Sequence, residues 1–204
     1  MNKNDVEILD RQTAYSGFYH LDRYRLRHRL HRGGWSPVIA RENFDRGRAA
    51  AVLPYDPDND AIVVVEQFRI GAMAAGLDPW IVEIVAGMIE DGEDAETVAR
   101  RETREEIGRD IGELVHVCDF LSTPGGCSEL VTVYCGRIDS TGVEGVFGNP
   151  EEDEDILVYA IGVDEAMRRV ADGRINNGMT IIALQWLALH REEVRQRWLR
   201  QPSA

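Results

Sequence analysis

One stretch of the chain, residues 86–109, limits the possible folds more than any other. It reads A-G-M-I-E-D-G-E-D-A-E-T-V-A-R-R-E-T-R-E-E-I-G-R, a glycine-rich acidic turn followed by a segment with helical periodicity. Asp94 is suited to cap the amino end of that helix, and Gly108 is suited to end it. Val98 and Ile107 are expected to face a core. The stretch therefore predicts a turn that leads directly into a helix packed on the body of the protein.

Three glutamates lie late in the predicted helix, at Glu102, Glu105 and Glu106. Spacings of three and four residues place Glu105 and Glu106 on nearly the same face as Glu102. Like charges at this spacing destabilise an isolated helix unless a cation or an arginine compensates them. A hard divalent metal, which takes oxygen ligands, is one candidate. The alternative is a solvated acidic helix whose glutamates pair with its own arginines, Arg100, Arg101 and Arg104.

Length and composition are those of an ordinary globular protein. The 204 residues suffice for one domain, or for one domain with a small appendage, and 44% of them are hydrophobic. The apolar runs Ala61–Val65 and Ile181–Leu189 do not have the length of a membrane span. The amino terminus lacks the layout of a secretory signal, and three cysteines without C-x-x-C spacing indicate a reduced compartment. We therefore expect a cytoplasmic protein that does not bind membranes.

The net charge of −13 is unevenly distributed. Residues 1–48 hold ten basic and six acidic side chains, a balance of +4, whereas the rest of the chain carries −17. A strongly acidic body argues against a nucleic-acid partner held by protein charge alone. It does not exclude a substrate that carries phosphate, because bound metal ions invert the local field.

The segment before residue 50 has the pattern of strands. Between Leu21 and Leu30 arginines alternate with other residues, which places the arginines on one face of a strand. That face is either a solvated strand protected by charge or a surface for a partner or a phosphate. Gly33 and Gly34 together are typical of a hairpin turn.

Strand and helix patterns then follow one another without repeats or long linkers. We predict strands at 49–55, 61–68, 81–85, 114–121, 130–138 and 156–161, and helices at 94–108, 164–172 and 180–198. Asp164 and Gly173 are expected to cap the second of these helices. Strands, one helix, strands and then helices indicate an α+β or sandwich arrangement rather than alternating βαβ units.

The polar skeleton of residues 87–108 resembles the Nudix box. Its glycines and charges fall at the spacing of that box: Gly87, five residues, Glu93, seven residues, R-E-x-x-E-E from Arg101, one residue, then Gly108. Two positions depart from it, because Thr103 and Arg109 stand where the box has aliphatic residues. These positions bear on the packing of the helix and not on its charged set. In the same stretch Arg101 is placed to hold Glu93 by a bidentate contact.

The resemblance implies the Nudix fold, an α/β/α sandwich around a mixed sheet, here with an antiparallel strand region at the amino terminus. It also implies hydrolysis of a nucleoside diphosphate linked to another group. The metal ligands that it assigns are the backbone carbonyl of Ala86 and the carboxylates of Glu102 and Glu106. Mg²⁺, or Mn²⁺ in its place, is the expected cofactor, with more than one ion in the site.

Features outside the box resemble the ADP-ribose diphosphatase branch of the family. Pro124 lies sixteen residues beyond Gly108 in F-L-S-T-P-G-G-C-S-E, although P-G-G alone indicates only a turn. The likeness runs from about Gly17 to His190 and includes E-Q-F-R-I, P-W-I-V-E-I-V-A-G and I-A-L-Q-W-L-A-L-H. ADP-ribose is therefore the substrate that the resemblance implies.

The same branch implies a homodimer whose N-terminal strands are exchanged and help to build the neighbouring subunit's adenosine site. Exchange of a terminal element is a low-cost route to a dimer. Residues 1–48 would form this dimerising strand region, and residues 49–204 would form the hydrolase domain.

The resemblance also assigns nine substrate-binding residues. Phe18 and Tyr19 would flank the adenine, and Glu129 would hold the terminal ribose. Thr123 stands where the branch more often has serine, and both residues offer a hydroxyl. Taken singly, each of these side chains has a structural interpretation, such as a core position for Phe18. The remaining positions are Arg69, Met88 and three supplied by the partner in the dimer, Arg41, Glu42 and Arg46.

Five consecutive acids occupy residues 151–155. Alone, such a run indicates a solvated loop. The branch has an acidic loop at this place that closes over the metals and carries the general base. Matching its E-x-E-D-I pattern makes Glu152 the base and Glu154 an additional metal ligand. A register moved by one residue would give the role of the base to Glu151.

We therefore predict a magnesium-dependent ADP-ribose diphosphatase that yields AMP and ribose 5-phosphate. The nearest alternative acts on another nucleotide sugar, such as ADP-glucose or GDP-mannose, with the same machinery. A second alternative is a Nudix-fold sensor that binds ADP-ribose derivatives without hydrolysis, and the complete glutamate set argues against it. A third is a metal-binding structural protein, which would leave the acidic run without a role.

Overall fold

The computed structural model describes residues 1–149 and 153–199. The chain divides into two compact units, unit 1 with Met1–Gly47 and Leu121–Leu130, and unit 2 with Arg48–Phe120 and Val131–Ala204. The boundary near residue 48 coincides with the change in charge along the sequence. Membership of the segment Leu121–Leu130 in unit 1 is not indicated by the sequence pattern.

Unit 1 contains a three-stranded antiparallel sheet. After a 3₁₀ turn at Lys3–Asp5, its strands are β1 (Val6–Ser16), β2 (His20–His28) and β3 (Ile39–Asp45), in that order. Charges of opposite sign face each other across these strands. Arg27 of β2 pairs with Glu7 of β1 at 2.6 Å, and Arg23 of β2 lies opposite Glu42 of β3. Cross-strand pairs of this kind stabilise the antiparallel register.

The segment Leu121–Leu130 is joined to the end of β3 by backbone hydrogen bonds. Phe44 donates its N–H to the carbonyl of Gly126 (2.8 Å) and accepts from the N–H of Ser128 (3.1 Å). The P-G-G sequence forms the turn within this segment, and the N–H of Cys127 closes it on the carbonyl of Thr123 (2.9 Å). The turn therefore presents its side chains beside the third strand of unit 1.

Unit 2 holds most of the regular structure. Its strands and helices are β4 (Arg48–Asp56), β5 (Ala61–Phe68), α1 (Ile70–Ala74), β6 (Trp80–Glu83), β7 (Val85–Met88), α2 (Ala95–Ile107), β8 (Leu114–Leu121), β9 (Leu130–Arg137), β10 (Gly145–Phe147), β11 (Ile156–Gly162), α3 (Val163–Ala171) and α4 (Gly178–Leu199). The strands form one eight-stranded sheet in the order β10-β11-β5-β4-β9-β8, with β6 paired to β5 and β7 paired to β4.

Side chains of β4 and β5 alternate between two buried layers, as the period of a strand requires. Leu53 and Val64 belong to one layer, and Val52 and Val63 belong to the other. All four side chains are fully buried. Because both faces of these central strands are covered, their sequences are nearly continuous apolar runs rather than alternating ones.

Helices supply the cover on both faces of the sheet. Helix α2 places Val98 and Ile107 in the layer of Val63, whereas α3 and α4 place Ala166 and Leu184 in the layer of Val64. The result is a helix–sheet–helix sandwich, which confirms the predicted α+β class and its α/β/α layering. None of the helices in the described ranges combines the length and apolarity needed to cross a membrane.

Two local predictions differ from the structure. The strand predicted at 81–85 is divided at Ile84, whose backbone N–H donates to Oγ1 of Thr180 in α4 (3.1 Å). The capping role of Asp164 is wrong, because α3 begins one residue before it and Asp164 accepts from Arg191 at 2.6 Å instead. In both cases a side chain distant in sequence decides the local geometry, which a pattern of near neighbours does not reveal.

Candidate functional site

Helix α2 carries the acidic cluster, and local side chains set its ends. Asp94 accepts hydrogen bonds from the backbone N–H (2.9 Å) and the hydroxyl (2.8 Å) of Thr97. Gly108 ends the helix with a φ of 65°, a left-handed conformation that glycine adopts without strain. Both predicted caps are confirmed. They fix where the helix that carries the glutamates begins and ends.

The two unusual positions of the box are accommodated without disturbing that helix. Thr103 is fully buried and donates its hydroxyl to the carbonyl of Ala99, one turn earlier, at 2.6 Å. Arg109 lies beyond the helix and donates to the carbonyls of Thr141 (2.9 Å) and Gly142 (3.1 Å). Within the described residues, neither Thr103 nor Arg109 forms a hydrogen bond or ion pair with the glutamates of α2.

Glu102 approaches the backbone of β7 at Gly87. A Cβ atom built on Gly87 would lie 1.8 Å from Oε1 of Glu102, so only glycine leaves room for that carboxylate. The neighbouring Ala86 is half-buried and pairs with Ala51 of β4. The fold thereby brings two predicted metal ligands, Ala86 and Glu102, close to each other.

We expect Gly87→Ala to keep the fold and to lose the position of Glu102, because the new methyl group collides with a flexible carboxylate rather than with backbone. The affinity for Mg²⁺, measured calorimetrically, should fall by about 10–100-fold. Thermal unfolding should change little. Gly162→Ala is the matched control, since nothing lies within 4 Å of a Cβ atom at that position. Unchanged Mg²⁺ affinity in Gly87→Ala would contradict this geometry.

Glu106 is buried deeply on the same helix. Its exposed fraction is 3%, and its Oε2 atom is buried without a hydrogen-bond partner among the described residues. Burial of an unpaired carboxylate oxygen costs free energy, and native structures rarely retain such an atom without a functional reason. A cation that coordinates this oxygen would remove that cost.

The acidic side chains act on each other electrostatically. Burial raises the pKa of Glu102 to about 7 and holds the pKa of Glu106 well above its ordinary value of 4.5. The negative charge of Glu154 raises both pKa values further, whereas Arg101 opposes the rise at Glu102 and Arg69 opposes it at Glu106. Three carboxylates therefore share one electrostatic environment, as a site for a divalent cation requires.

The raised pKa of Glu102 predicts how the stability of the metal-free protein depends on pH. A carboxyl group whose pKa is higher in the folded state holds its proton more tightly there, so its stabilising effect is complete below 4.5. That effect is lost as pH rises to about 7. The loss in the free energy of unfolding is about 3 kcal/mol for a shift of this size. Denaturant unfolding in EDTA should therefore show falling stability from pH 5 to pH 8, and Mg²⁺ should reduce the fall. A flat profile in EDTA would contradict the burial of these carboxylates.

Arg101 binds the other glutamates of the box. Its guanidinium contacts Glu102 at 2.8 Å, Glu105 at 3.0 Å and Glu93 at 3.4 Å. A second nitrogen reaches the other oxygen of Glu93 at 3.5 Å, so the predicted bidentate contact is present but long. Glu105 is half exposed, Glu102 is half-buried, and Glu106 is the buried glutamate of the three.

Glu154 is held against the backbone of Gly148 and Asn149. Its Oε2 atom accepts from the backbone N–H of Asn149 at 2.9 Å, and its Cβ lies 2.8 Å from where a Cβ on Gly148 would be. Gly148 has a φ of 111°, which favours glycine and allows this approach. The predicted base, Glu152, lies outside the described residues, as does Glu151.

The donor set fits a divalent cation in its chemistry. Carboxylates together with the carbonyl of Ala86 are the oxygen ligands that Mg²⁺ prefers. Oε2 of Glu106, which has no hydrogen-bond partner among the described residues, is available to bind such a cation. Within residues 1–149 and 153–199, however, no three acidic, histidine or cysteine side chains already surround one metal position. Glu102 is instead engaged by Arg101. Cation binding would exchange that contact for a metal–oxygen bond.

Arg69 is tied to a buried acid that the sequence pattern does not single out. Its Nε donates to Oε2 of Glu83 at 2.8 Å, and Oε1 of Glu83 accepts from the amide of Asn177 at 2.7 Å. Glu83 is 3% exposed. The sequence does contain a signal for Glu83, which is a lone acid within the apolar run P-W-I-V-E-I-V. Because buried carboxylates are rare unless they are paired, an acid at this position indicates a partner elsewhere in the chain.

The predicted adenine-binding residues form an aromatic and charged cluster in unit 1. The ring of Tyr19 lies edge-on to Phe18 (4.7 Å between centroids) and to Phe44 (5.3 Å), and the guanidinium of Arg46 lies 4.9 Å from its centroid. Nε of Arg46 is 2.9 Å from Oε1 of Glu129, although the N–H does not point along that line. Phe18 is 83% exposed, so the core interpretation of this side chain is wrong.

The other predicted substrate residues lie at the surface of their units. In unit 1, Arg41 and Glu42 are exposed on β3, and Thr123 is exposed at the P-G-G turn. In unit 2, Met88 is 40% exposed at the end of β7 and its carbonyl lies 3.5 Å from Arg101. The predicted residues are thus divided between the units. Unit 2 holds the predicted metal ligands with Arg69 and Met88, and unit 1 holds the other seven substrate-binding residues.

The chain is similar to known proteins over most of its length. The NUDIX domain profile matches residues 45–198. The ADP-ribose pyrophosphatase of Escherichia coli (strain K12) is 46% identical over 196 residues, which is 96% of this chain and 94% of the relative. The ADP-ribose pyrophosphatase of Haemophilus influenzae is 41% identical over 202 residues, 98% of this chain and 93% of the relative.

More distant relatives carry other names. The GDP-mannose pyrophosphatase of Klebsiella pneumoniae is 34% identical over 148 residues, 72% of this chain and 74% of the relative. A solved structure described as an ADP compounds hydrolase superimposes with a TM-score of 0.71 at 19% identity, covering 94% of this chain and 97% of that one. At that identity the superposition supports the fold alone.

Proposed function

The chain belongs to the Nudix family, and from this premise we propose that it hydrolyses ADP-ribose to AMP and ribose 5-phosphate with Mg²⁺. The observation that carries the proposal is the pair of glutamates on α2: Glu102 is half-buried, and Glu106 is buried with one oxygen that has no partner among the described residues. Identity of 46% over 96% of the chain to an ADP-ribose pyrophosphatase supports the choice of substrate.

Each residue of the site has its own proposed role in the reaction. Glu102, Glu106, Glu154 and the carbonyl of Ala86 would hold the cation, which when bound neutralises diphosphate charge and lowers the pKa of the attacking water. Arg69 would bind the diphosphate oxygens. Glu152 would take the proton of that water as its oxygen attacks phosphorus and the bridging oxygen leaves. A positioned base of this kind contributes about 10²–10⁴-fold to the rate.

The cluster of unit 1 suits recognition of a nucleoside. We assign Phe18 and Tyr19 to the adenine, because aromatic side chains stack on bases; the ring of Phe18 is exposed, and the half-buried ring of Tyr19 packs against it. Glu129 would accept hydrogen bonds from the terminal ribose, and Thr123 would offer its hydroxyl to the substrate. Met88 would line the site of unit 2.

We further propose that the functional protein is a cytoplasmic homodimer with exchanged N-terminal strands. Residues 1–48 would form the dimerising region and residues 49–204 the hydrolase domain, so that Arg41, Glu42 and Arg46 reach the partner's site. Light scattering should give twice the chain mass of 23.0 kDa. A mass equal to one chain would contradict this part of the proposal.

A panel of nucleotide sugars tests the substrate assignment. With Mg²⁺, kcat/KM should be highest for ADP-ribose and lower for ADP-glucose and GDP-mannose. GDP-mannose is the relevant competitor, because relatives at 32–34% identity carry the name GDP-mannose pyrophosphatase. A higher kcat/KM for GDP-mannose than for ADP-ribose would overturn the assignment. Absence of any hydrolysis would favour a sensor.

A further inference from the structure

Glu83 is a buried carboxylate to which the proposed reaction gives no direct role. It ends β6, where the other three residues of W-I-V-E are apolar, and it is 3% exposed. An acid is retained at such a position only when its oxygens are paired, since burial of an unpaired charge is costly. The hydrogen-bond partners of Glu83 therefore indicate its role.

Each oxygen of Glu83 has a separate partner from a different element. Oε2 accepts from Nε of Arg69, which precedes α1, and Oε1 accepts from the amide of Asn177, which precedes α4. Asn177 also accepts from the backbone N–H of Thr180 (3.0 Å), and Oγ1 of Thr180 accepts from the N–H of Ile84 (3.1 Å). The hydrogen-bond chain thus returns to the residue next to Glu83, which fixes the orientation of its carboxylate.

The way in which Arg69 is held leaves its binding groups available. Glu83 engages Nε, and no second ion-pair partner of Arg69 occurs within the described ranges. The side chain is 44% exposed and borders a cavity of about 350 Å³ that Glu83 and Leu77 also line. A guanidinium anchored through Nε can present its two terminal nitrogens together, which is the geometry that binds two phosphate oxygens.

We propose that Glu83 is a positioning residue that, itself oriented by Asn177, holds Arg69 by Nε so that the terminal nitrogens of Arg69 bind the substrate diphosphate. The inference rests on the proposed function, because it takes Arg69 as a substrate contact. The competing role for Glu83 is purely structural, as a link between β6 and the start of α4. The two roles differ in whether the effect of Glu83 on catalysis passes through Arg69.

A double-mutant cycle separates these roles. Glu83→Gln should lower kcat/KM for ADP-ribose by up to about 10²-fold, mainly through a higher KM, because misplaced binding groups cost this much. Arg69→Lys should have a similar effect. The double variant should resemble Arg69→Lys, since Glu83 has nothing left to position. Additive losses, or a KM for Glu83→Gln equal to that of the wild type, would overturn the proposal.

Two further variants separate positioning from loss of stability. Asp56→Asn is the matched control, because Asp56 is 1% exposed and accepts from Ser140 at 2.6 Å, and it should lower Tm without raising KM. Asn177→Ser retains a helix-capping hydroxyl but removes the amide donor to Glu83. It should raise KM less than Glu83→Gln does. If Glu83→Gln does not fold, the KM of Asn177→Ser tests the positioning role instead, and an unchanged KM would overturn it. An equal rise in KM for Asp56→Asn would overturn the proposal.

The same proteins distinguish failure of this inference from failure of the proposed function. A wild-type protein that does not hydrolyse ADP-ribose contradicts the function alone. The inference is then decided by the Kd of inorganic diphosphate, measured calorimetrically with Mg²⁺. Weaker binding in Glu83→Gln and in Arg69→Lys, without further weakening in the double variant, supports it, whereas additive or absent effects overturn it.

Discussion

Glu106→Gln is expected to lower kcat for ADP-ribose by about 10²–10³-fold, since one metal-bound charge contributes several kcal/mol to stabilisation of the transition state. The same change should stabilise the metal-free protein. Glu106 is 3% exposed, burial raises its pKa, and one of its oxygens has no hydrogen-bond partner in the described ranges, so replacing this carboxyl group by a neutral amide should stabilise the fold by about 1–3 kcal/mol. Turnover with Mg²⁺ and denaturant unfolding in EDTA at pH 8 measure the two effects.

Glu96→Gln is the matched control for this experiment. Glu96 lies on the same helix, its side chain is 54% exposed, and it pairs with Arg100 one turn away. Loss of such a surface pair costs about 0.3–0.5 kcal/mol and should leave kcat unchanged. If Glu106→Gln retained wild-type turnover, Glu106 would not be a metal ligand. If it destabilised the metal-free protein, the buried carboxyl group of Glu106 would already be stabilised by other groups without a metal.

Glu152→Gln is expected to lower kcat by about 10²–10⁴-fold with little change in KM, because it removes the base and leaves the substrate contacts in place. The prediction rests on the Nudix resemblance of the acidic run, since Glu152 lies outside the described residues. Steady-state kinetics over a range of pH provide the measurement. The limb of the pH–rate profile that reports deprotonation of the base should disappear.

Neighbouring acids serve as controls for the register of that run. Glu151→Gln should retain turnover near that of the wild type. Glu154→Gln should raise the Mg²⁺ concentration required for activity, because Glu154 shares the electrostatic environment of Glu102 and Glu106. Near-normal turnover in Glu152→Gln together with a large loss in Glu151→Gln would move the role of the base to Glu151.

Much of the fold is predictable because its determinants are local. Asp94 and Gly108 act on backbone groups within one turn, so they reveal both ends of α2 from the sequence. The runs that form β4 and β5 are apolar on both faces, which already indicates strands covered on each side. The division of the strand at Ile84 depends on Thr180, almost a hundred residues away in the chain, and no local pattern carries that information.

The site is predictable to the extent that spacing along one helix decides it. Glu102 and Glu106 lie one turn apart, and their spacing to Gly87 is enough to identify the box from the sequence alone. Their burial and the room that Gly87 leaves for Glu102 are properties of packing between α2 and β7. Glu83 is missed for a related reason, because its importance depends on contacts with Arg69 and Asn177 from other elements.

Product analysis tests the central claim most directly. The protein would be incubated with ADP-ribose and Mg²⁺, and with ADP-ribose and EDTA, and the products would be identified by chromatography and mass spectrometry. Equal amounts of AMP and ribose 5-phosphate should form with Mg²⁺, and neither should form in EDTA. Absence of AMP with Mg²⁺, or equal formation of AMP in EDTA, would contradict a metal-dependent ADP-ribose diphosphatase.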